Sequence, residues 1–110
     1  MNGWPYPRLI AHRGGGSLAP ENTLAALKLG ASLGYRASEF DVKLSRDGVP
    51  FLLHDAKLER TTSGTGIAGE FDWPVLAGLD AGAWHSPEFR GERLARLDEV
   101  ARFIAGSGLM

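Results

Sequence analysis

Histidine, arginine and paired carboxylates recur in three short runs of this sequence: His12-Arg13-Gly14, Glu39-Phe40-Asp41 and His54-Asp55. Imidazoles move protons near neutral pH, and a guanidinium grips an oxyanion through a planar fork. Two acids at alternate positions of a strand face the same way, and oxygen ligands suit a hard cation. Counting brings these groups together. If Asp47-Gly48 is the loop of a two-residue hairpin, Arg46 faces Val49 and Asp41 lies across from His54. One face then carries Phe40, Val42, Leu44, Phe51 and Leu53, and the other carries Glu39, Asp41, Lys43 and His54. Directly opposed residues have Cβ atoms about 4.5–5.5 Å apart, so residues 38–55 form a candidate site, with Lys43 as a balancing charge. A hairpin with one wet face shows the same alternation, and an extended return segment inside a barrel also fits it.

Elements must deliver these groups. Residues 8–11 read as the opening of a buried strand with His12 and Arg13 at its end, broken by Gly14-Gly15-Gly16. Consecutive glycines let backbone amides approach a ligand, as in phosphate-binding loops, although such runs also make plain turns. Pro20-Glu21-Asn22-Thr23 has the composition of a helix start. The helix is predicted to run to about Leu33, with Leu24, Leu27 and Ala31 on one face and Gly34 as its stop. Gly30 inside it costs about 1 kcal/mol relative to alanine and so points to close packing. Strand, loop and helix followed by a further strand indicate an α/β layout.

Residues 57–97 are rich in glycine and turn formers and read as an irregular excursion. Phe71, Trp73, Trp84 and Phe89 make it an ordered one, suited to a cap or pocket wall. His85, between Trp84 and Ser86, is expected to pack rather than to ligate. A second helix is predicted over 97–105, with Leu97, Val100, Ala101 and Ile104 on its apolar stripe, and Asp98 and Glu99 in its first turn. Gly106-Ser107-Gly108 ends it, and Leu109-Met110 resembles the opening of another strand.

Composition bounds the partners. The 110 residues are 44% hydrophobic and 23% charged, within the range of one globular domain. Twelve basic residues against 13 acidic ones leave a formal charge of −1. That balance provides neither a field for nucleic acid nor a polybasic patch for a membrane surface. The chain has no cysteine, which excludes disulfides and thiolate metal sites, so any metal takes oxygen or nitrogen ligands. No stretch has the length of a membrane span or the pattern of a secretory leader. The expectation is a soluble cytoplasmic protein without membrane insertion.

The ordered series His12-Arg13-Gly14, Pro20-Glu21-Asn22-Thr23, Glu39-Phe40-Asp41, Asp47-Gly48, His54-Asp55 and Arg60-Thr61-Thr62 resembles the glycerophosphodiester phosphodiesterase family. The stretch LDAGAWHSPEFRGERLARLDEV is similar to that family too. The resemblance implies a TIM-type (β/α) barrel with its site at the C-terminal ends of the strands, of which this chain supplies about three strands and two helices. It implies Glu39 and Asp41 as metal ligands for Mg²⁺ or Ca²⁺, His12 and His54 as the catalytic pair, and Arg13 on the substrate phosphate. The implied reaction splits a small-molecule glycerophosphodiester into glycerol 3-phosphate and an alcohol, with the glycerol 2-hydroxyl attacking to give a cyclic phosphate that water opens. Which histidine is acid and which is base stays open.

A domain of this type has about 250 residues. The family's third metal carboxylate, and a lysine beside it, are therefore expected on a strand beyond Met110. The expectation is a truncated N-terminal portion, spanning residues 1–110, with little or no activity by itself and open strand edges that favour self-association. Two other readings stay open: a non-catalytic fragment that folds by self-association, and a phosphate- or metal-binding module.

Overall fold

A computed structural model of the chain describes residues 10–14, 17–35 and 37–107, and for residues 10–12 and 107 the backbone only. The expected lead-in over residues 1–7, Gly15 and Gly16, and the strand opening at Leu109-Met110 lie outside the described residues. β1 (Ile10–His12) and β2 (Ala37–Glu39) pair in parallel, with His12 opposite Glu39, and α1 (Leu24–Ser32) makes the crossover between them. This is the βαβ solution for a parallel pair.

The helix starts four residues later than the prolines and acids predict. Thr23 is its N-cap: the Thr23 hydroxyl accepts from the Ala26 amide at 3.2 Å and donates to the Pro20 carbonyl at 2.7 Å. Asn22 just before it has φ +59, a left-handed value that no α-helix accommodates. Glu21 therefore sits outside the first turn. An acid reaches the helix start from far along the chain instead, because Glu92 accepts from the Ala25 amide at 3.2 Å. Leu27 and Gly30 are buried as expected, Ala26 is buried with them, and Ala31 is only half-buried.

β3 (Val42–Leu44) and β4 (Pro50–Leu52) form the expected hairpin, slipped by one residue. Val42 faces Leu52, Lys43 faces Phe51 and Leu44 faces Pro50. The loop has three residues, not two. The Ser45 amide donates to the Val49 carbonyl at 3.0 Å, the Ser45 hydroxyl accepts from the Val49 amide at 2.8 Å, and Gly48 turns the chain with φ +86. A one-residue slip exchanges the faces of one strand relative to the other. Val42 and Leu44 are consequently exposed, at 44% and 59%, while Phe51 and Leu53 are buried without them.

β4 runs between two apolar clusters, and strand alternation splits its residues between them. Phe51 joins Leu53, Leu58, Ala68, Leu76, Ala81 and Leu94. Leu52 joins Leu27, Ala95 and Val100. The first cluster orders the excursion, which contains the short helix α2 (Trp73–Ala77) and 3-10 turns at Ala68–Glu70 and Pro87–Phe89. Asp80 ties it together by accepting from the amides of Gly82, Ala83 and Gly91, each at 2.8 Å. α3 (Leu97–Ser107) extends two residues past its expected end. It buries Val100, half-buries Leu97 and Ile104, and leaves Ala101 exposed. Among the described residues no helix is long and apolar enough to cross a membrane.

Candidate active site

The parallel pairing of β1 with β2 brings the two strand ends, and the residues that follow them, to one edge. The Arg13 amide donates to Glu39 Oε1 at 3.2 Å, and the Arg13 carbonyl accepts from the Asn22 amide at 2.8 Å. Arg13 itself has φ +52. Two non-glycine residues in the left-handed region, here Arg13 and Asn22, mark a loop held against its own preference, as functional sites often are. The Arg13 guanidinium donates from Nη1 to both oxygens of Glu21, at 3.2 and 3.1 Å. Its buried Nε lies 3.7 Å from Asp41 Oδ2 and has no hydrogen-bond partner among the described residues. Asn22 locks Asp41 in place: its side-chain amide donates to Asp41 Oδ2 at 3.2 Å, and its carbonyl oxygen accepts from the Asp41 amide at 3.1 Å.

His54 reaches this cluster by a different route from the one the hairpin count gave. The slipped register sets Asp41 against Leu53, whose amide donates to the Asp41 carbonyl at 3.0 Å. The partner of His54 is its neighbour: Nδ1 lies 2.9 Å from Asp55 Oδ1. Asp55 accepts two hydrogen bonds from Arg60, and Arg60 gives two more to Glu21, all at 2.9 Å. A continuous ionic chain therefore runs His54, Asp55, Arg60, Glu21, Arg13, Asp41. The guanidinium of Arg13, not Lys43, lies against Asp41. The hydrogen bonds of Arg60 and His54 hold the Asp55 carboxyl well below the usual carboxylate range. Burial pushes the Glu21 carboxyl up, but Arg60 and Arg13 together outweigh it and Glu21 also lies below its ordinary value. Arg60, donating to both acids, is held further above its own.

A cavity of about 370 Å³ opens beside this chain, lined by Arg13, Ser17, Glu21, Arg60, Trp84 and His85 among others. The excursion thus supplies a pocket wall, as its aromatic content predicted. His85 is a packing residue. Its Nε2 donates to the Ser17 carbonyl at 2.8 Å, and its ring meets Trp84 and Phe89 edge-on at 5.7 and 5.4 Å.

Two carboxylates, Glu39 and Asp41, stand at the end of β2 beside Arg13. Oxygen donors in that number suit Mg²⁺, which is commonly held by one or two carboxylates with water and substrate phosphate completing its shell. Among the described residues no three His, Cys, Asp or Glu side chains gather closely enough to hold a metal ion. The backbone of His12 is placed opposite Glu39, while its imidazole lies outside the described atoms.

The model of the Glycerophosphoryl diester phosphodiesterase family matches residues 12–110. The chain belongs to this family. A glycerophosphodiester phosphodiesterase of Caldanaerobacter subterraneus is 42% identical over 96 residues, which is 87% of this chain and 40% of that protein. Among solved structures, the Oleispira antarctica phosphodiesterase OLEI02445, in complex with the product sn-glycerol-3-phosphate, matches with a TM-score of 0.92 and 42% identity over 94% of this chain and 42% of that one. The glycerophosphodiester phosphodiesterase of Agrobacterium tumefaciens matches with a TM-score of 0.86 and 41% identity over 89% and 42%. The chain therefore spans about two-fifths of the length of these relatives. Its fold is the corresponding part of the family's (β/α) barrel, with β1 and β2 as neighbouring parallel strands, and the hairpin and excursion inserted between α1 and α3.

Within this family fold, the residues that sequence reasoning left without a role are Glu21, Asn22, Asp55 and Arg60. Their motifs were visible, but Glu21 and Asn22 read as a helix start, and the Arg60–Glu21 pair spans 39 positions, which no local spacing reveals.

Proposed function

We propose that this chain carries the catalytic residues of a metal-dependent glycerophosphodiester phosphodiesterase, releasing glycerol 3-phosphate and an alcohol. The observation that carries the reading is the ionic chain that links Arg13, beside Glu39 and Asp41, to His54. The product held by the Oleispira antarctica relative supports the substrate class. A phosphodiester anion repels nucleophiles, so neutralising its charge is the first requirement. Arg13 contributes a forked cation for one phosphate oxygen pair. Glu39 and Asp41 would hold Mg²⁺ or Ca²⁺, which when bound supplies further charge neutralisation.

The proton work falls to the histidines. One imidazole takes the proton of the glycerol 2-hydroxyl as its oxygen bonds to phosphorus. The other gives a proton to the departing alkoxide as its bond to phosphorus breaks. Water then opens the cyclic phosphate with the two roles exchanged, restoring both rings. The chain spans about two-fifths of its relatives, so turnover by these 110 residues alone is expected to be slow.

The test is release of glycerol 3-phosphate from glycerophosphocholine by this chain, or by a longer protein containing it, with and without EDTA. Activity that EDTA abolishes, and that falls by roughly 10²-fold or more in His12→Ala and in His54→Ala, is the expected result. Undiminished turnover in either variant removes that histidine from the mechanism. A second reading, a non-catalytic chain that folds by self-association, draws on the exposure of Val42 and Leu44. Sedimentation of a monomer at all concentrations would remove it.

A further inference from the structure

Arg60 stands at the middle of the ionic chain, where among the described residues its guanidinium donates to two acids. Its Nε and Nη2 donate to the two oxygens of Asp55, and its Nη1 and Nη2 to the two oxygens of Glu21. Each acid in turn holds a different part of the site. Glu21, with a side chain only 12% exposed, also receives Nη1 of Arg13. Asp55 sits on Nδ1 of His54.

The charge count is what makes this arrangement consequential. One carboxylate, Glu21, lies between two guanidiniums, so neither Arg13 nor Arg60 is fully neutralised by it. Without Arg60, the whole charge of Glu21 falls on Arg13, which already stands 3.7 Å from Asp41. At the other end, an ionised carboxylate can only accept a hydrogen bond, so against Asp55 it is Nδ1 of the neutral ring that carries the hydrogen. Nε2 keeps the lone pair. A carboxylate released from Arg60 can swing away and free the ring to exchange tautomers. Only a fork with several N–H groups in fixed geometry can bind both acids in pairs; a lysine ammonium is a single point of charge.

We propose that Arg60 is a positioning residue for both halves of the site, sharing the charge of Glu21 so that Arg13 stays available to an incoming phosphate, and pinning Asp55 on His54 so that Nε2 presents its lone pair. This rests on the phosphodiesterase reading for its purpose, but its test does not depend on turnover. The probe is inorganic phosphate, titrated into this chain and followed by NMR at the Gly14 amide. The second readout is the imidazole nitrogen spectrum of His54 at alkaline pH, assigned by its loss in His54→Gln.

Arg60→Met is expected to weaken phosphate binding about two- to fivefold, the worth of one partly exposed ion pair, and to mix the Nε2–H tautomer into His54. Adding Glu21→Gln to Arg60→Met restores phosphate binding, because Arg13 is released again. Arg60→Lys, which keeps the charge and loses the fork, leaves the tautomer mixed. Arg46→Ala breaks an exposed two-point pair with Asp72 away from the site and changes neither readout; a merely structural Arg60 would behave like it. Should Arg60→Met fail to fold, Arg60→Gln takes its place in the same tests. An unchanged His54 tautomer overturns the proposal. So does phosphate binding that stays weak after Glu21→Gln is added, since that marks Arg60 as touching the anion directly. Absence of hydrolysis in a longer active-length protein containing this chain would sink the phosphodiesterase reading while leaving both of these readouts to decide on Arg60.

Discussion

At the scale of single residues, the site depends on a few backbone positions that only certain side chains tolerate. Gly14, directly after Arg13, has φ +100, and a Cβ built there would lie 3.2 Å from the Ala26 Cβ and 3.2 Å from the Leu27 amide nitrogen. Gly48 in the hairpin has φ +86 and open space around it. The two glycines therefore separate conformational cost from crowding. Gly48→Ala should lose about 1–2 kcal/mol, the penalty of the left-handed region for a residue with a Cβ. Gly14→Ala adds a collision with α1 and should lose more, of order 2–4 kcal/mol, with an accompanying drop in turnover because Arg13 moves. Urea unfolding of both variants, with the glycerophosphocholine assay alongside, makes the comparison; equal losses at the two positions would show that the contact with α1 is not felt. His12, Arg13, Glu39, Asp41 and His54 were legible in the sequence as candidates because their types suit the proposed reaction. Glu21 and Arg60 were not, since an acid and an arginine far apart in sequence look like ordinary surface charge until the fold brings them within 2.9 Å.

At the scale of elements, the hairpin and the excursion show where local signals stop. Asp47-Gly48 marked the turn correctly, yet the loop took a third residue. The Asp47 carboxylate accepts from the Trp73 amide at 2.9 Å and Arg46 forks onto Asp72, so the start of α2 helps choose the loop that the strands adopt. That choice moved Asp41 away from His54. The excursion carries its own device in Asp80. Three amide donors hold its carboxyl down at about 2, against an ordinary value of 3.8. A depressed carboxyl contributes stability that is complete above its unfolded value and is lost as pH falls through its folded one. Residues 80–91 should therefore loosen between about pH 4 and pH 2, read as faster amide exchange at Gly82 and Gly91. Asp80→Asn should flatten that dependence within the same window. A dependence of equal steepness in the variant would assign the acid sensitivity to other groups.

At the scale of the molecule, β4 divides the interior. Phe51 and Leu52 are both fully buried, and they point into different clusters. Phe51→Ala should cost about 3–5 kcal/mol and Leu52→Ala about 2–5 kcal/mol, large fractions of the stability of a domain this size. Phe51→Ala should speed amide exchange first at Leu58 and Leu76, and Leu52→Ala first at Leu27 and Val100. The same set of amides opening in both variants would mean that the clusters unfold as one unit. The sequence by itself determined the family, the α/β order and the helix carrying Leu27 and Gly30, and it supplied the candidate groups for the proposed chemistry, because residue types and local spacing are properties of the chain. Tertiary structure decided the hairpin register, the late start of α1 at Thr23, the division of the core by β4, and the joining of His54 to Arg13 through Asp55, Arg60 and Glu21. Each of those depends on contacts between residues far apart in sequence, where a hydrogen bond or a buried side chain overrides what its neighbours alone would prefer.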